Sequence, residues 1–397
     1  MPGLLEGVRN ALSLWVTRMG DYVRQMPDSG AGFASAPGAA RRLGVDLPLL
    51  FLLVLLAAFG LVVLYSAAGQ DADVVTRQAR FLLIGLVVML AAAQVSPVRY
   101  RRWAPWLYLL GVLLLLGVMF FGVGAKGAQR WLSVAGFRFQ PSEIMKLVMP
   151  MMVAWYLAER PLPPRPRHSL GCLCIIMLPG VLILRQPDLG TALLVITGGL
   201  FVIFMAGIGW RYLLGVLVFA MASAWPMWTL VLEGYQKQRI LTLLNPESDK
   251  LGAGWNIIQS KTAIGSGGWH GKGWLQGTQS RLDFLPESHT DFIIAVLAEE
   301  FGLRGVILLM SLYLLILFRG LWIGMHAQST FGRLLAGSIT LIFFVYVFVN
   351  MGMVSGLLPV VGVPLPLVSA GGTSLVTLMS AFGLLMAIAA ERRVVGQ

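Results

Sequence analysis

The chain has 397 residues, of which 57% are hydrophobic and only 12% charged, with a mean hydropathy of +0.78 and a formal net charge of +12. A soluble domain carries about 25% charged residues, so this composition excludes an ordinary water-facing surface and makes lipid the main solvent. The basic surplus sits in short loops between apolar runs, where it sets orientation and meets anionic head groups, which excludes nucleic acid as a partner.

Residues 1–45 are polar, with a Gly/Ala/Ser/Pro patch over 29–40, and read as a cytoplasmic tail carrying one surface helix around 4–23. A transmembrane helix needs about 20 mostly apolar residues. Runs that qualify, or nearly do, lie at roughly 47–67, 80–96, 103–123, 142–158, 169–185, 189–207, 211–232, 303–322, 331–354 and 371–390. Ten such spans put both termini on one side. Arg41, Arg42, Arg99, Arg101, Arg102, Arg160, Arg165, Arg167, Arg319, Arg333, Arg392 and Arg393 all fall on that face, whereas the opposite segment 355–370 has no Lys or Arg. By the positive-inside rule both termini are cytoplasmic. The expected fold is an all-α polytopic membrane protein of ten transmembrane helices, with a large extracytoplasmic loop at about 233–301 between spans 7 and 8.

Within that loop the apolar stretch 292–297 is too short to span, and Gly302 separates it from the next full span. A short helix over 291–301 is expected, at or dipping into the outer membrane surface, where protein or a wet cavity must cover any irregular backbone. No internal repeat is visible, which counts against an inverted-repeat transporter. Cys172 and Cys174, two apart, face different sides of a helix and read as packing residues rather than metal or redox ligands. His168, His270, His289 and His326 are scattered and form no ligand cluster.

The chain has 18 acidic residues, so those at span mouths are informative. An ionisable group at membrane depth is costly and is a functional candidate by default. Asp291 has two readings: a helix cap or first-turn charge favoured by the dipole, or a carboxylate placed to take a proton from a substrate hydroxyl. Glu299 and Glu300 follow it, and Glu300 with Arg304 has the i,i+4 spacing of a structural ion pair. Pro141 and Ser142 start a helix that places Glu143 and Lys146 on nearly one face. These two form either a structural pair or, with Arg130 nearby, a cationic pocket suited to a diphosphate. Spacing does not separate the two readings. Asp188, in Arg185-Gln-Pro-Asp-Leu-Gly-Thr, reads as a turn residue, as do 245–249 and 265–268. The glycines match neither a P-loop nor a dinucleotide fingerprint. The prolines of Leu358-Pro-Val-Val-Gly-Val-Pro-Leu-Pro break helices, so that segment is expected to line a cavity.

From 46 to 393 the sequence resembles the SEDS (shape, elongation, division and sporulation) family. The resemblance rests on Gly127-Ala-Gln-Arg-Trp-Leu, Gln140-Pro-Ser-Glu, Gln186-Pro-Asp-Leu-Gly-Thr, Leu285-Pro-Glu-Ser-His-Thr-Asp-Phe, Ala298-Glu-Glu-Phe-Gly and Leu365-Pro-Leu-Val-Ser. The stretch from Gly265 to Ser280 and Gly362-Val-Pro-Leu-Pro-Leu-Val resemble the elongation branch (RodA) rather than the division branch (FtsW). Ala370 stands where the family commonly has Tyr.

The resemblance implies a transmembrane domain over 46–393 with a short cytoplasmic end at 394–397, in the bacterial inner membrane. It implies a peptidoglycan glycosyltransferase that polymerises lipid II, an undecaprenyl-diphosphate-linked disaccharide peptide, during elongation and so maintains rod shape. Asp291 matches the family's essential aspartate, the general base for the acceptor 4-hydroxyl. Arg130, Glu143 and Lys146 match positions implicated in function, here assigned to substrate binding. No metal-ligand set and no tightly bound cofactor are implied, although a divalent cation is compatible with the chemistry. The implied partners are a class B penicillin-binding protein, other elongation-complex membrane proteins and membrane lipid. The rival readings are a lipid II flippase and a scaffold for the penicillin-binding protein. Asp291 speaks for the enzyme, since a flippase has no evident need of a base at the outer rim.

Overall fold

A computed structural model of the chain describes residues 44–391, except 126–127, 135–136, 227, 230–233, 250–252 and 279–286. The expected tail with its surface helix, apart from residues 44 and 45, and the C-terminal end lie outside the described residues. In chain order the elements are α1 (Leu47–Ala67), α2 (Ala72–Ala93), α3 (Pro97–Phe121), β1 (Val123–Ala125), β2 (Ala128–Val134), β3 (Phe137–Phe139), α4 (Pro141–Ala158) and α5 (Pro166–Leu184). They continue with α6 (Leu189–Met205), α7 (Trp210–Pro226), α8 (Gly234–Leu244), α9 (Ala253–Gly267), α10 (Ile293–Met325), α11 (Thr330–Val354) and α12 (Thr373–Ala390).

Among the described residues, 7 helices are long and apolar enough to cross a membrane: α1, α2, α3, α5, α10, α11 and α12. α6 is apolar but only 17 residues long, and α4 carries Glu143 and Lys146 in its first turns. α7 is described as far as Pro226, and most of the expected stretch from there to 232 lies outside the described residues. α2 begins at Ala72, earlier than expected, because the Asp71 side chain caps it by accepting from Asp73 N at 2.8 Å.

The all-α expectation is corrected at 123–139, where three short strands form an antiparallel sheet in the order β1-β2-β3. Leu132 pairs with Phe139 and Ser133 with Arg138. The Phe-Arg-Phe alternation of β3 has the period of two that a strand requires.

The central helix is α11, with 72% of its apolar window buried against 17% for α2. In lipid, helices meet through close small-residue contacts rather than through contrast with water. Gly383 on α12 shows this: a Cβ there would lie 2.3 Å from Met89 O of α2. Asp46, the cap of α1, accepts from Leu49 N at 3.0 Å and also takes Arg319 of α10 in a two-pronged pair at 3.0 and 2.5 Å. Cys172 is buried and Cys174 exposed, and both are free, so only the first packs into the core as expected.

Gly302 does break the long helix α10, with φ 65° and ψ −163°. The break frees carbonyls and amides, and a glycine-rich turn after α9 satisfies them. Lys272 N donates to Glu299 O and Gly273 N to Glu300 O, both at 3.0 Å, while Leu303 N and Arg304 N donate to Gly268 O and Trp269 O at 2.9 and 3.4 Å. The two backbones are so close that a Cβ on Gly302 would lie 2.3 Å from Gly271 N.

Candidate active site

Arg130, Glu143 and Lys146 come together in one cavity of about 400 Å³. The sheet supplies Arg130 from β2 and Arg138 from β3. The first turns of α4 supply Glu143 and Lys146, the mouth of α6 supplies Asp188, and α11 supplies Tyr346. The proline-rich segment closes the cavity with Gly362, Val363 and Pro364, so the expectation that it lines a cavity holds.

The two readings of the Glu143–Lys146 spacing merge here. The pair is formed, with Lys146 Nζ donating to Glu143 Oε1 at 2.7 Å, and both side chains are buried while facing the cavity. Lys146 Nζ also stands 5.2 Å from the centre of the Tyr346 ring, an attraction a desolvated cation makes with an aromatic face. Glu143 Oε2 is buried without a hydrogen-bond partner among the described residues.

Arg130 is anchored to the turn before α6. Its Nε donates to Gln186 O at 3.4 Å, a second guanidinium nitrogen donates to Pro187 O, and Nη1 lies 3.9 Å from Asp188 Oδ1. Asp188 is therefore more than a turn residue. It caps α6 by accepting from Thr191 N at 3.3 Å, accepts from Gln140 Nε2 at 2.8 Å and forms part of the cavity wall. The cationic groups Arg130, Arg138 and Lys146 thus outnumber the carboxylates Glu143 and Asp188 in the wall, an arrangement that favours a multiply charged anion such as a diphosphate. Sequence reasoning missed Arg138 and Tyr346. The alternation around Arg138 was the available signal, whereas Tyr346 lies in an unbroken apolar run that gives none.

Asp291 is not itself among the residues that line this cavity, but its carboxylate lies beside one of them. Gly362 lines the cavity, and a Cβ on it would be 3.6 Å from Asp291 Oδ2. The cap reading does not hold, because Phe292 occupies the cap position of α10 without a side-chain bond and the first turn has no acidic residue. The segment before Asp291 is tied to several other parts of the chain. Ser288 Oγ donates to Ala67 O at 2.9 Å, Ala370 N to His289 O at 2.9 Å, and Ser369 Oγ to Thr290 O at 2.5 Å. The contact at position 370 is made by the backbone. A second cavity of about 500 Å³ abuts the same segment, lined by Ser288 and His289 together with residues 66–71.

The expected Glu300–Arg304 pair is not formed, because the break at Gly302 removes the i,i+4 geometry it needs. Glu300 instead accepts from Ser66 Oγ of α1 at 2.5 Å and from Gly277 N at 3.4 Å. Glu299 accepts from Lys272 Nζ at 2.7 Å and from Thr278 N and Oγ1, each at 2.9 Å. Among the described residues no three His, Cys, Asp or Glu side chains converge as metal ligands.

The sequence profile of the FtsW/RodA/SpoVE family, described as cell cycle protein, matches residues 47–394. This chain belongs to that family. Among curated members, the peptidoglycan glycosyltransferase MrdB of Escherichia coli is 52% identical over 354 residues, covering 89% of this chain and 95% of the relative. The probable peptidoglycan glycosyltransferase FtsW of Trichlorobacter lovleyi is 38% identical over 357 residues, covering 87% and 93%. Among solved structures, the rod shape determining protein RodA of Thermus thermophilus superposes with a TM-score of 0.67 at 30% identity, covering 88% of this chain and 97% of that one. A chain from a study of how a peptidoglycan synthase complex coordinates polymerization and crosslinking gives a TM-score of 0.77 at 32% identity, covering 87% and 97%. Family membership and the apolar helices make the chain a multi-pass inner-membrane protein.

Proposed function

We propose that this chain is a peptidoglycan glycosyltransferase that polymerises lipid II during cell elongation. The observation that carries this reading is the carboxylate of Asp291 beside Gly362, a wall residue of a cavity lined by cationic side chains. A polymerase of this kind must take a proton from a hydroxyl and hold the negative charge that gathers on a departing diphosphate. In the proposed step Asp291 removes the proton of the acceptor 4-hydroxyl. The oxygen then attacks the anomeric carbon of the donor, and the bond from that carbon to the diphosphate oxygen breaks with inversion. Arg130 and Lys146 hold the diphosphate, and Glu143 keeps Lys146 in place. A divalent cation would enter with the diphosphate rather than reside on the protein.

In this reading all ten apolar helices span the membrane. Both termini are cytoplasmic, and the segment 233–301 is outside, where the lipid-linked substrate is polymerised. The basic loops favour that orientation. Cross-linking falls to a class B penicillin-binding partner, in line with the relative drawn from a synthase complex that couples polymerization to crosslinking.

The test is a polymerisation assay in detergent or liposomes with labelled lipid II, with a penicillin-binding partner inactive as a transferase, and with products resolved by length. Wild type is expected to make polymer and Asp291→Asn none, with folding and partner binding preserved. A fully active, well-folded Asp291→Asn removes the base assignment. No polymer from either protein, with intact substrate and a verified complex, favours flipping or scaffolding.

A further inference from the structure

Asn350 lies in the last turns of α11 and is fully buried. Its Nδ2 donates to Asp291 O at 2.9 Å and to Val363 O at 2.8 Å. Its Oδ1 is buried with no hydrogen-bond partner among the described residues. The orientation of the amide is forced, because the opposite one would set an oxygen against two carbonyl oxygens, all acceptors. A buried amide that leaves its acceptor unmet is unfavourable for stability alone. What the residue gains is the link its two N–H groups make.

That link joins two irregular segments. One carries Asp291. The other follows Gly362, whose left-handed backbone (φ 73°) turns the cavity wall past the Asp291 carboxylate. Neither segment is part of a helix or a sheet; Ala370 N to His289 O and Ser369 Oγ to Thr290 O tie them further along, and the tie at Asp291 itself is made by Asn350. Asn350 belongs to α11, the most buried of the seven helices that are long and apolar enough to span among the described residues. Tyr346, four residues earlier on the same face of α11, packs against Lys146. One face of α11 therefore touches both halves of the site, the cationic floor and the segment bearing the carboxylate.

We infer that Asn350 is a positioning residue for glycosyl transfer: its amide staples the backbone of Asp291 to the cavity wall at Val363 and so sets where the Asp291 carboxylate meets the acceptor hydroxyl. This inference rests on the reading of Asp291 as the base. Without the staple the cavity and its cations remain, so donor binding is kept while the base drifts. A misplacement of about 1 Å costs up to roughly 100-fold in rate.

The experiment compares Asn350→Leu, similar in size and without donors, with wild type in the lipid II polymerisation assay, alongside Asp291→Asn. Ser338→Ala serves as a control that removes another buried hydrogen bond of α11, from Ser338 Oγ to Gly198 O at 2.8 Å. Asn350→Leu is expected to lower kcat by roughly 10- to 100-fold with KM within about twofold, and Ser338→Ala to leave both unchanged. If the Leu variant does not fold, Asn350→Ser, too short to reach both carbonyls, is expected to show the same split. Wild-type kcat in a folded Asn350 variant while Asp291→Asn is inactive overturns this inference and leaves the base reading intact. An active Asp291→Asn overturns both. Failure of both Asn350 variants to fold, or a rise in KM with unchanged kcat, assigns the residue to stability or binding and overturns the inference as well.

Discussion

Replacing Gly302 by Ala tests the joint between the outer segment and the long helix α10. At φ 65° and ψ −163° the position is in a region that residues with a Cβ essentially avoid. The new methyl would also lie 2.3 Å from Gly271 N and 2.8 Å from the carbonyl carbons of Trp269 and His270, all of them backbone atoms that no rotamer change can move aside. If the break is kept, backbone strain of about 1–3 kcal/mol and overpacking of about 1–3 kcal/mol add to roughly 2–6 kcal/mol. If α10 straightens instead, the four bonds from Lys272, Gly273, Leu303 and Arg304 across the joint are lost. At about 0.5–1.5 kcal/mol each that is again roughly 2–6 kcal/mol. Both routes predict a large loss, and hydrogen exchange separates them, since only straightening exposes the amides of Lys272 and Gly273. The assay is thermal unfolding in detergent together with exchange of those amides. A Gly302→Ala protein within about 0.5 kcal/mol of wild type, the range of an ordinary surface substitution, with both amides still protected, refutes this account.

Lys146→Met alone leaves the Glu143 carboxylate buried without its cation and is expected to destabilise by about 3–5 kcal/mol. The double variant Glu143→Leu/Lys146→Met should recover most of that stability in detergent melts while remaining inactive in polymerisation, and a double variant as unstable as the single one would count against the pairing. Arg304→Ala is expected to change stability by no more than about 0.5 kcal/mol, because Arg304 does not pair with Glu300. Ser66→Ala, which strips the buried Glu300 of a 2.5 Å donor, should cost about 1–3 kcal/mol; the reverse ranking in unfolding measurements would restore the Glu300–Arg304 pair.

What was legible in the sequence is what short range determines. Length and apolarity mark the seven helices that are long and apolar enough to span among the described residues, because a bilayer demands about 20 apolar residues whatever the neighbours are. Glycine at 302 marks the break, and the three-residue step from Glu143 to Lys146 gives their ion pair, because helix geometry alone brings such neighbours together. The tertiary structure decided who meets whom at long range. Ser66 takes Glu300, the 186–188 turn takes Arg130, and Asn350 takes Asp291 and Val363. In a soluble protein a polar face and an apolar face say which side of a helix turns inward. Helices in lipid are apolar all round, so their sequence does not say which side meets which neighbour. The carboxylate and the cations that make up the site lie on different elements, and only the packing of those elements brings them together.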